Sequence, residues 1–160
     1  MKKLELHTVV HLYDDIDELD QDSRDLMKEA IVARSNAYAP YSKFTVGCAI
    51  KLDDGTIIHG NNQENAAYPS GLCAERVAIF AAGANHPGKA IVKMAITASG
   101  IDNKFTKPVP PCGACRQSIA EYEMRQQQPL ECYFMGASGN IAHVNSHKEL
   151  LPLAFDKKYL

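Results

Sequence analysis

Three cysteines in two short motifs are the residues best suited to chemistry in this chain. The motifs are C-A-E-R at residues 73–76 and P-C-G-A-C-R at residues 111–116. Cys112 and Cys115 are three positions apart, so they share one face of a helical turn. Three thiolates bind zinc at about 2.3 Å each and leave the fourth tetrahedral position open, which is typical of catalytic zinc. The motifs therefore predict a zinc site formed by Cys73, Cys112 and Cys115.

A carboxylate follows the first of these ligands. Glu75 is two residues beyond Cys73, so we expect it to point into the same cavity without binding the metal. A carboxylate beside zinc-bound water can take a proton from that water and later donate it to a leaving group. Glu75 is therefore the predicted catalytic residue.

Positive groups are needed near this site. Zinc with three thiolates carries a net negative charge and activates water weakly unless that charge is offset. Two helix N-termini aimed at the sulfurs would each contribute about half a positive charge. Arg76 and Arg116 adjoin the ligands and can hydrogen-bond to thiolates. Arg76 is favoured because it lies one helical turn beyond Cys73, whereas an ion pair explains Arg116 equally well.

A structural zinc site, with histidine as the fourth ligand, is the alternative interpretation of the cysteines. The chain has six histidines, and none has the paired spacing of a zinc finger. Each histidine fits a surface position or a strand position with its own partner. Cys48 and Cys132 fall in predicted strands, where a buried, unreactive thiol is expected.

The elements that must position these motifs alternate between helix and strand. Asp20 or Asp22 caps a first helix that Pro40 ends, Asp54-Gly55 turns one hairpin, and Ser146 caps a last helix through Leu151. Between them the pattern predicts strands at 44–52, 56–60, 91–98, 130–135 and 141–144, and helices at 73–82, ending at Gly83, and 112–127. This order predicts a three-layer α/β/α fold with a mixed five-stranded sheet.

Length, charge and composition restrict the function classes. The chain has 160 residues and a net charge of −2, with no cluster of lysine and arginine, so it does not resemble a nucleic-acid-binding protein. No run approaches the roughly 18 apolar residues of a membrane span. The first residues lack the apolar run of a secretory signal, so we expect a cytoplasmic protein with reduced thiols. We expect a single catalytic domain at 21–160, preceded by an extension at 1–20 with a possible strand at 4–12.

Five segments together resemble the cytidine deaminase family, in its small-subunit form with three cysteine ligands. They are the two zinc motifs, which match the zinc deaminase signature, and P-Y-S-K-F-T-V-G at 40–47, G-N-N-Q-E-N-A-A-Y at 60–68 and E-L-L-P-L-A-F at 149–155. The resemblance implies zinc-dependent hydrolytic deamination of cytidine and 2′-deoxycytidine to uridine and 2′-deoxyuridine, in pyrimidine salvage. Water attacks C4 of the base, ammonia leaves, and Glu75 carries the protons.

The resemblance also implies the substrate contacts. They are Phe44 packed on the base, the Ala74 backbone N–H on O2, the Pro110 carbonyl on the amino group, and Asn62 with Glu64 on the ribose 3′-hydroxyl. Without the resemblance, Phe44 fits an ordinary strand core, and Asn62 with Glu64 fits a polar turn. The family forms homotetramers, and Tyr68 and Phe155 match the residues that complete the site of a neighbouring subunit.

Three other functions remain open at this point. Deaminases of cytosine-bearing antibiotics such as blasticidin S share both zinc motifs, although the Asn62 and Glu64 pair favours a nucleoside. A non-catalytic, zinc-stabilised interaction domain is possible with the same ligands. An enzyme that edits RNA or single-stranded DNA needs a basic groove with stacking aromatics, which the net charge does not favour.

Overall fold

The structure is a computed structural model, and it describes residues 1–102 and 104–160. Across these residues helices and strands alternate, with short 3-10 turns at Ile16–Glu18, Tyr68–Ser70 and Lys157–Tyr159. In chain order the elements are β1 His11–Tyr13, α1 Gln21–Arg34, β2 Phe44–Leu52, β3 Ile57–Asn61, α2 Ala74–Asn85, β4 Ile91–Gly100, α3 Gly113–Gln126, β5 Glu131–Met135, β6 Ile141–Val144 and α4 His147–Leu150. None of the described helices is long and apolar enough to cross a membrane.

One mixed sheet runs through the molecule in the order β1-β6-β5-β4-β2-β3. The β4–β5 pair is parallel and the other neighbouring pairs are antiparallel. The predicted count of five strands is wrong, since the described residues form six. The additional strand is β1, which pairs with β6 through His11 and His143 and so occupies an edge that the shorter sheet would leave open.

Helices cover both faces of the sheet, so the predicted three-layer fold is confirmed. On one face, α1 packs Leu26, Met27 and Ala30 into a buried cluster with residues of β2, β4 and β5. On the other face, α2 and α3 pack Ala78 and Ile119 over a second cluster. These two apolar layers hold the helices in place because each buries the apolar side of an amphipathic element.

Two glycines allow the helices to lie directly on the sheet. A Cβ added at Gly47 would lie 2.1 Å from the Ala30 carbonyl oxygen of α1, and one added at Gly60 would lie 2.3 Å from the Ala74 carbonyl oxygen of α2. A side chain at either position would therefore push a helix away. Because Ala74 belongs to the first turn of α2, Gly60 sets the height of the predicted metal ligands above the sheet.

Helix ends follow the capping signals only in part. Asp20 caps α1 by accepting from the Ser23 N–H, and Ser146 caps α4 in a capping box with Glu149. The predicted end of α2 at Gly83 is wrong, since the helix continues to Asn85. Gly83 instead permits close contact with α3, since a Cβ there would lie 2.2 Å from the Tyr122 hydroxyl oxygen.

Candidate metal centre and active site

The three predicted metal ligands meet at the start of two helices. Cys73 is the N-cap of α2, Cys112 is the N-cap of α3, and Cys115 lies in the first turn of α3. The Cys73 and Cys112 sulfurs are 3.7 Å apart, and the Cys112 and Cys115 sulfurs are 3.5 Å apart. Ligands at about 2.3 Å from a tetrahedral zinc ion would be separated by roughly 3.8 Å. Both distances therefore fit the edges of a zinc tetrahedron, and all three sulfurs lie within 4.8 Å of one another.

Both N-cap cysteines have extended backbone and form no capping hydrogen bond through their side chains. Their thiols are consequently free to face the metal position. The first N–H groups of a helix carry partial positive charge, which favours thiolate at this end. Two helix N-termini therefore converge on the sulfur cluster, as the charge of the site requires.

The arginines differ in what they contact. The Arg76 guanidinium donates to the Cys73 sulfur at 3.8 Å. Arg116 donates instead to the carbonyl oxygens of Pro111 at 2.8 Å and Leu150 at 3.0 Å, and so connects the start of α3 to α4. Its partners are therefore backbone carbonyls, and neither the predicted thiolate contact nor the alternative ion pair is observed. Arg76 is thus the positive side chain in contact with the cluster.

The thiols of the cluster shift the pKa values of one another. The hydrogen bond from Cys115, supported by Arg76, lowers the pKa of Cys73, and the same bond raises the pKa of Cys115. Among residues 1–102 and 104–160, the group of converging ligand atoms consists of Cys73, Cys112 and Cys115, without a histidine. This donor set suits zinc with one position left for another molecule, and it does not match the structural-zinc alternative with a histidine ligand.

Glu75 lies beside the cluster with only 4% of its surface exposed. Burial raises the pKa of its carboxyl group, and the neighbouring Cys73 thiolate acts in the same direction. A carboxyl group in such a site holds a proton more readily than one in water, which suits a group that first accepts and then donates a proton.

A cavity of about 700 Å³ opens over the cluster. Nine of the residues singled out in the sequence line it: Phe44, Asn62, Glu64, Tyr68, Cys73, Glu75, Arg76, Pro110 and Cys112. The cavity also contains residues that were not singled out, among them Tyr41, Ser42, Gln63, Leu72 and Val109. Most of these additional residues lie within or next to the motifs shared with the family. Their closeness in sequence to the predicted site residues is what could have identified them as lining the cavity.

Asn62 and Glu64 are joined to the segment that carries Phe44. The Asn62 amide accepts from the Val46 N–H at 2.8 Å and donates to the Phe44 carbonyl at 2.9 Å. The Glu64 carboxylate accepts from the Tyr41 N–H at 2.9 Å. Both side chains line the cavity, and both also hold its wall.

Arg116 does not line the cavity, and neither do the side chains of three other predicted site residues. Ala74 is fully buried in the first turn of α2 and does not line the cavity with its side chain. Cys115 is fully buried, and its sulfur belongs to the cluster without lining the cavity. Phe155 lies outside the cavity with 58% of its surface exposed, and its carbonyl accepts from the Gln117 side chain at 2.8 Å. Within one chain, Phe155 does not contact this site.

Comparison with known proteins gives a consistent result. The family model described as "Cytidine and deoxycytidylate deaminase zinc-binding region" matches residues 20–128. A cytidine deaminase of Halalkalibacterium halodurans is 44% identical over 134 residues, which is 84% of this chain and 94% of that protein. A cytidine deaminase of Sporosarcina psychrophila is 43% identical over 141 residues, covering 87% of this chain and 95% of that protein.

Solved structures show the same relationship. The cytidine deaminase of Burkholderia pseudomallei matches with a TM-score of 0.71 and 39% identity, over 82% of this chain and 97% of that chain. The cytidine deaminase of Mycobacterium tuberculosis matches with a TM-score of 0.66 and 30% identity, over 86% of this chain and 99% of that chain. Since sequence, fold and the cysteine cluster agree over most of the chain, this protein belongs to the cytidine deaminase family.

Proposed function

We propose that this protein catalyses the hydrolytic deamination of cytidine and 2′-deoxycytidine to uridine and 2′-deoxyuridine, in cytoplasmic pyrimidine salvage. The observation that carries the proposal is the buried Glu75 carboxyl group beside three sulfurs at zinc-binding distances, at the floor of a nucleoside-sized cavity. We assign the catalytic domain to residues 21–160 and treat residues 1–20 as an extension, in keeping with the family match at 20–128.

The chemistry divides between metal and protein. Zinc held by Cys73, Cys112 and Cys115 would act as a Lewis acid that makes water a nucleophile near neutral pH. Glu75 takes one proton of the attacking water and gives it to N3 of the ring. It then takes the remaining proton from the new hydroxyl at C4 and gives it to the departing amino group, which leaves as ammonia while the C4 carbonyl forms. Arg76 offsets the negative charge of the sulfurs through its contact with Cys73.

The wall of the cavity would hold the nucleoside. Phe44 packs on the base, and the Ala74 N–H and the Pro110 carbonyl bind O2 and the amino group, which fixes the ring edge-on over Glu75. Asn62 and Glu64 face the ribose 3′-hydroxyl, for which an amide and a carboxylate supply a donor and an acceptor.

We further propose a homotetramer in which neighbouring subunits complete each site. Two observations support it: Phe155 lies outside the cavity of its own chain, and Tyr68 at the cavity mouth has 75% of its surface exposed. Aromatic side chains this exposed are commonly covered at interfaces between subunits.

An ultraviolet assay of cytidine loss tests the function directly. We expect turnover of cytidine and 2′-deoxycytidine, with loss of activity after removal of zinc by a chelator and recovery on adding zinc back. Cys112→Ala should lose both metal and activity. Steady-state rates on blasticidin S serve as the comparison, and a clear preference for that antibiotic over both nucleosides would contradict the proposal.

A further inference from the structure

The Ser42 side chain joins two residues that the proposed function places against substrate. Its hydroxyl donates to Glu64 Oε1, and its oxygen accepts the Phe44 backbone N–H at 3.0 Å. The Ser42 backbone N–H donates to Glu64 Oε2 at 3.3 Å. One small side chain therefore connects the carboxylate at the sugar position to the backbone that carries the aromatic ring.

The hydrogen bonds also determine which part of the carboxylate is available. Glu64 Oε2 accepts two backbone N–H groups, from Tyr41 and Ser42. Within the part of the chain that the structure describes, the Ser42 hydroxyl is the single donor to Oε1, and a carboxylate oxygen has two lone pairs. One acceptor position on Oε1 thus remains for a ligand hydroxyl, and its direction is fixed by the bond from Ser42.

The segment around Ser42 has a strained backbone. Lys43 has a φ of 56°, a left-handed conformation that non-glycine residues rarely adopt. Side chains from the opposite loop hold this conformation, with Glu64 on one side and Asn62 on the Phe44 carbonyl on the other.

The hydrogen bond from Ser42 is also the main cause that lowers the pKa of Glu64, so the carboxylate is kept ionised.

We propose that Ser42 is a positioning residue for nucleoside recognition, which orients the free acceptor of Glu64 toward the sugar 3′-hydroxyl while holding the Phe44 backbone in register. The proposal rests on the proposed function. It assigns Ser42 no contact with the reacting atoms. It predicts that loss of the Ser42 hydroxyl weakens the binding of ligands that carry a 3′-hydroxyl much more than the binding of ligands that lack one.

The test compares Ser42→Thr with Ser42→Val, which have nearly the same size and differ in the hydroxyl. Rates are measured for cytidine, 2′-deoxycytidine and 2′,3′-dideoxycytidine, of which the last two differ in the 3′-hydroxyl alone. Calorimetry measures binding of uridine and of 2′,3′-dideoxyuridine. Ser35→Ala is the control, because the Ser35 hydroxyl donates to the Val32 carbonyl on the exposed side of α1.

We expect Ser42→Val to raise KM for cytidine and Kd for uridine by roughly tenfold, as for loss of a charge-assisted hydrogen bond. We expect kcat to change much less. We expect KM for 2′,3′-dideoxycytidine and Kd for 2′,3′-dideoxyuridine to change less than about twofold. Ser42→Thr should stay close to the wild type. Equal losses for both ligand classes, or no difference between the Thr and Val variants, would overturn the proposal.

Different results would contradict the proposed function and the proposed role of Ser42. Wild-type protein that binds uridine but does not consume cytidine would contradict the proposed function. The uridine and 2′,3′-dideoxyuridine comparison would still decide the role of Ser42. Thermal unfolding of each variant provides a separate measure of folding.

Discussion

At the scale of single residues, Glu75 combines deep burial with a position beside the sulfur cluster. The carboxyl group is 4% exposed, and burial raises its pKa. A group that gains and loses a proton within one reaction benefits from a pKa closer to neutrality than that of an exposed carboxyl. Glu75 does not contribute to the group of metal-ligating atoms, so its chemistry can be separated from metal binding.

Glu75→Gln is therefore expected to lower kcat by about 10²–10⁴-fold, the usual contribution of general acid–base catalysis. The amide has nearly the same shape and cannot accept the proton of the water. Zinc content, measured by elemental analysis, should stay equal to that of the wild type. A variant with bound zinc and wild-type turnover would exclude Glu75 from the reaction and would favour a non-catalytic zinc domain.

At the scale of elements, the height of α2 above the sheet determines where Cys73 and Glu75 lie. Gly60 of β3 is in contact with the first turn of this helix, and an added Cβ would lie 2.3 Å from the Ala74 carbonyl oxygen. The atom that an added Cβ would meet belongs to the helix backbone, so it cannot move away unless the helix itself moves. The N-terminus of α2 must therefore shift if the glycine is replaced.

Gly60→Ala should lower the free energy of unfolding by about 1–3 kcal/mol, the usual cost of overpacking. It should also weaken zinc binding, because Cys73 moves relative to the two ligands of α3. Denaturant unfolding and competition with a chromogenic chelator measure the two effects. Gly113→Ala is the control, since nothing lies within 4 Å of its added Cβ, although it follows Cys112 directly. Equal effects of the two variants would contradict the role given to Gly60.

At the scale of the whole molecule, β6, the strand next to one edge of the sheet, contains a buried histidine that links stability to pH. His143 of β6 stacks on Tyr133, with ring centroids 4.1 Å apart and planes 7° from parallel, and the residue is 7% exposed. Burial lowers its pKa. Glu131, with Oε2 at 3.6 Å from Nε2, and Glu149 oppose that shift, whereas His11 and Lys93 reinforce it.

Because the pKa of His143 is lower in the folded chain, the unfolded chain binds more protons as pH falls. The free energy of unfolding should therefore decrease from about pH 6.5 downward. For one proton the slope cannot exceed about 1.4 kcal/mol per pH unit. His143→Phe keeps an aromatic stack and should remove this part of the slope, as measured by urea unfolding between about pH 7.5 and 5. The control His7→Gln, at an exposed position, should leave the pH dependence of the unfolding free energy unchanged. An unchanged slope in His143→Phe would contradict the role given to His143.

Assembly is the second property at this scale. Phe155 stacks on Tyr159 at 5.5 Å on the surface of its own chain. If it completes the site of a neighbour, Phe155→Ala should raise KM for cytidine several-fold and weaken the tetramer in sedimentation velocity. Val32→Ala, a substitution at an exposed position of α1, should do neither. A wild-type monomer with full activity would remove the proposed role of Phe155.

Much of the site was predictable because its signals are local. Cys112 and Cys115 share a helical turn through their spacing, and the capping role of Ser146 depends on residues within one turn. Strand β2 was predicted with its observed bounds, Phe44–Leu52, since a run of apolar residues ends at the Asp54-Gly55 turn. The chemistry of the cysteines, with Glu75 beside them, depends only on residue type and short spacing.

Other features depend on contacts between residues far apart in the chain, and only the tertiary structure decided them. The pairing of β1 with β6 requires an open sheet edge, and the close contact of α2 with the Tyr122 ring of α3 requires glycine at position 83. Which arginine reaches a thiolate depended on the direction of each helix, as the carbonyl contacts of Arg116 show. The sequence by itself determined which cysteines are the candidate ligands and most of the elements that carry them. Their distances, and the wall built around Glu64, arise from packing between elements, which no local pattern encodes.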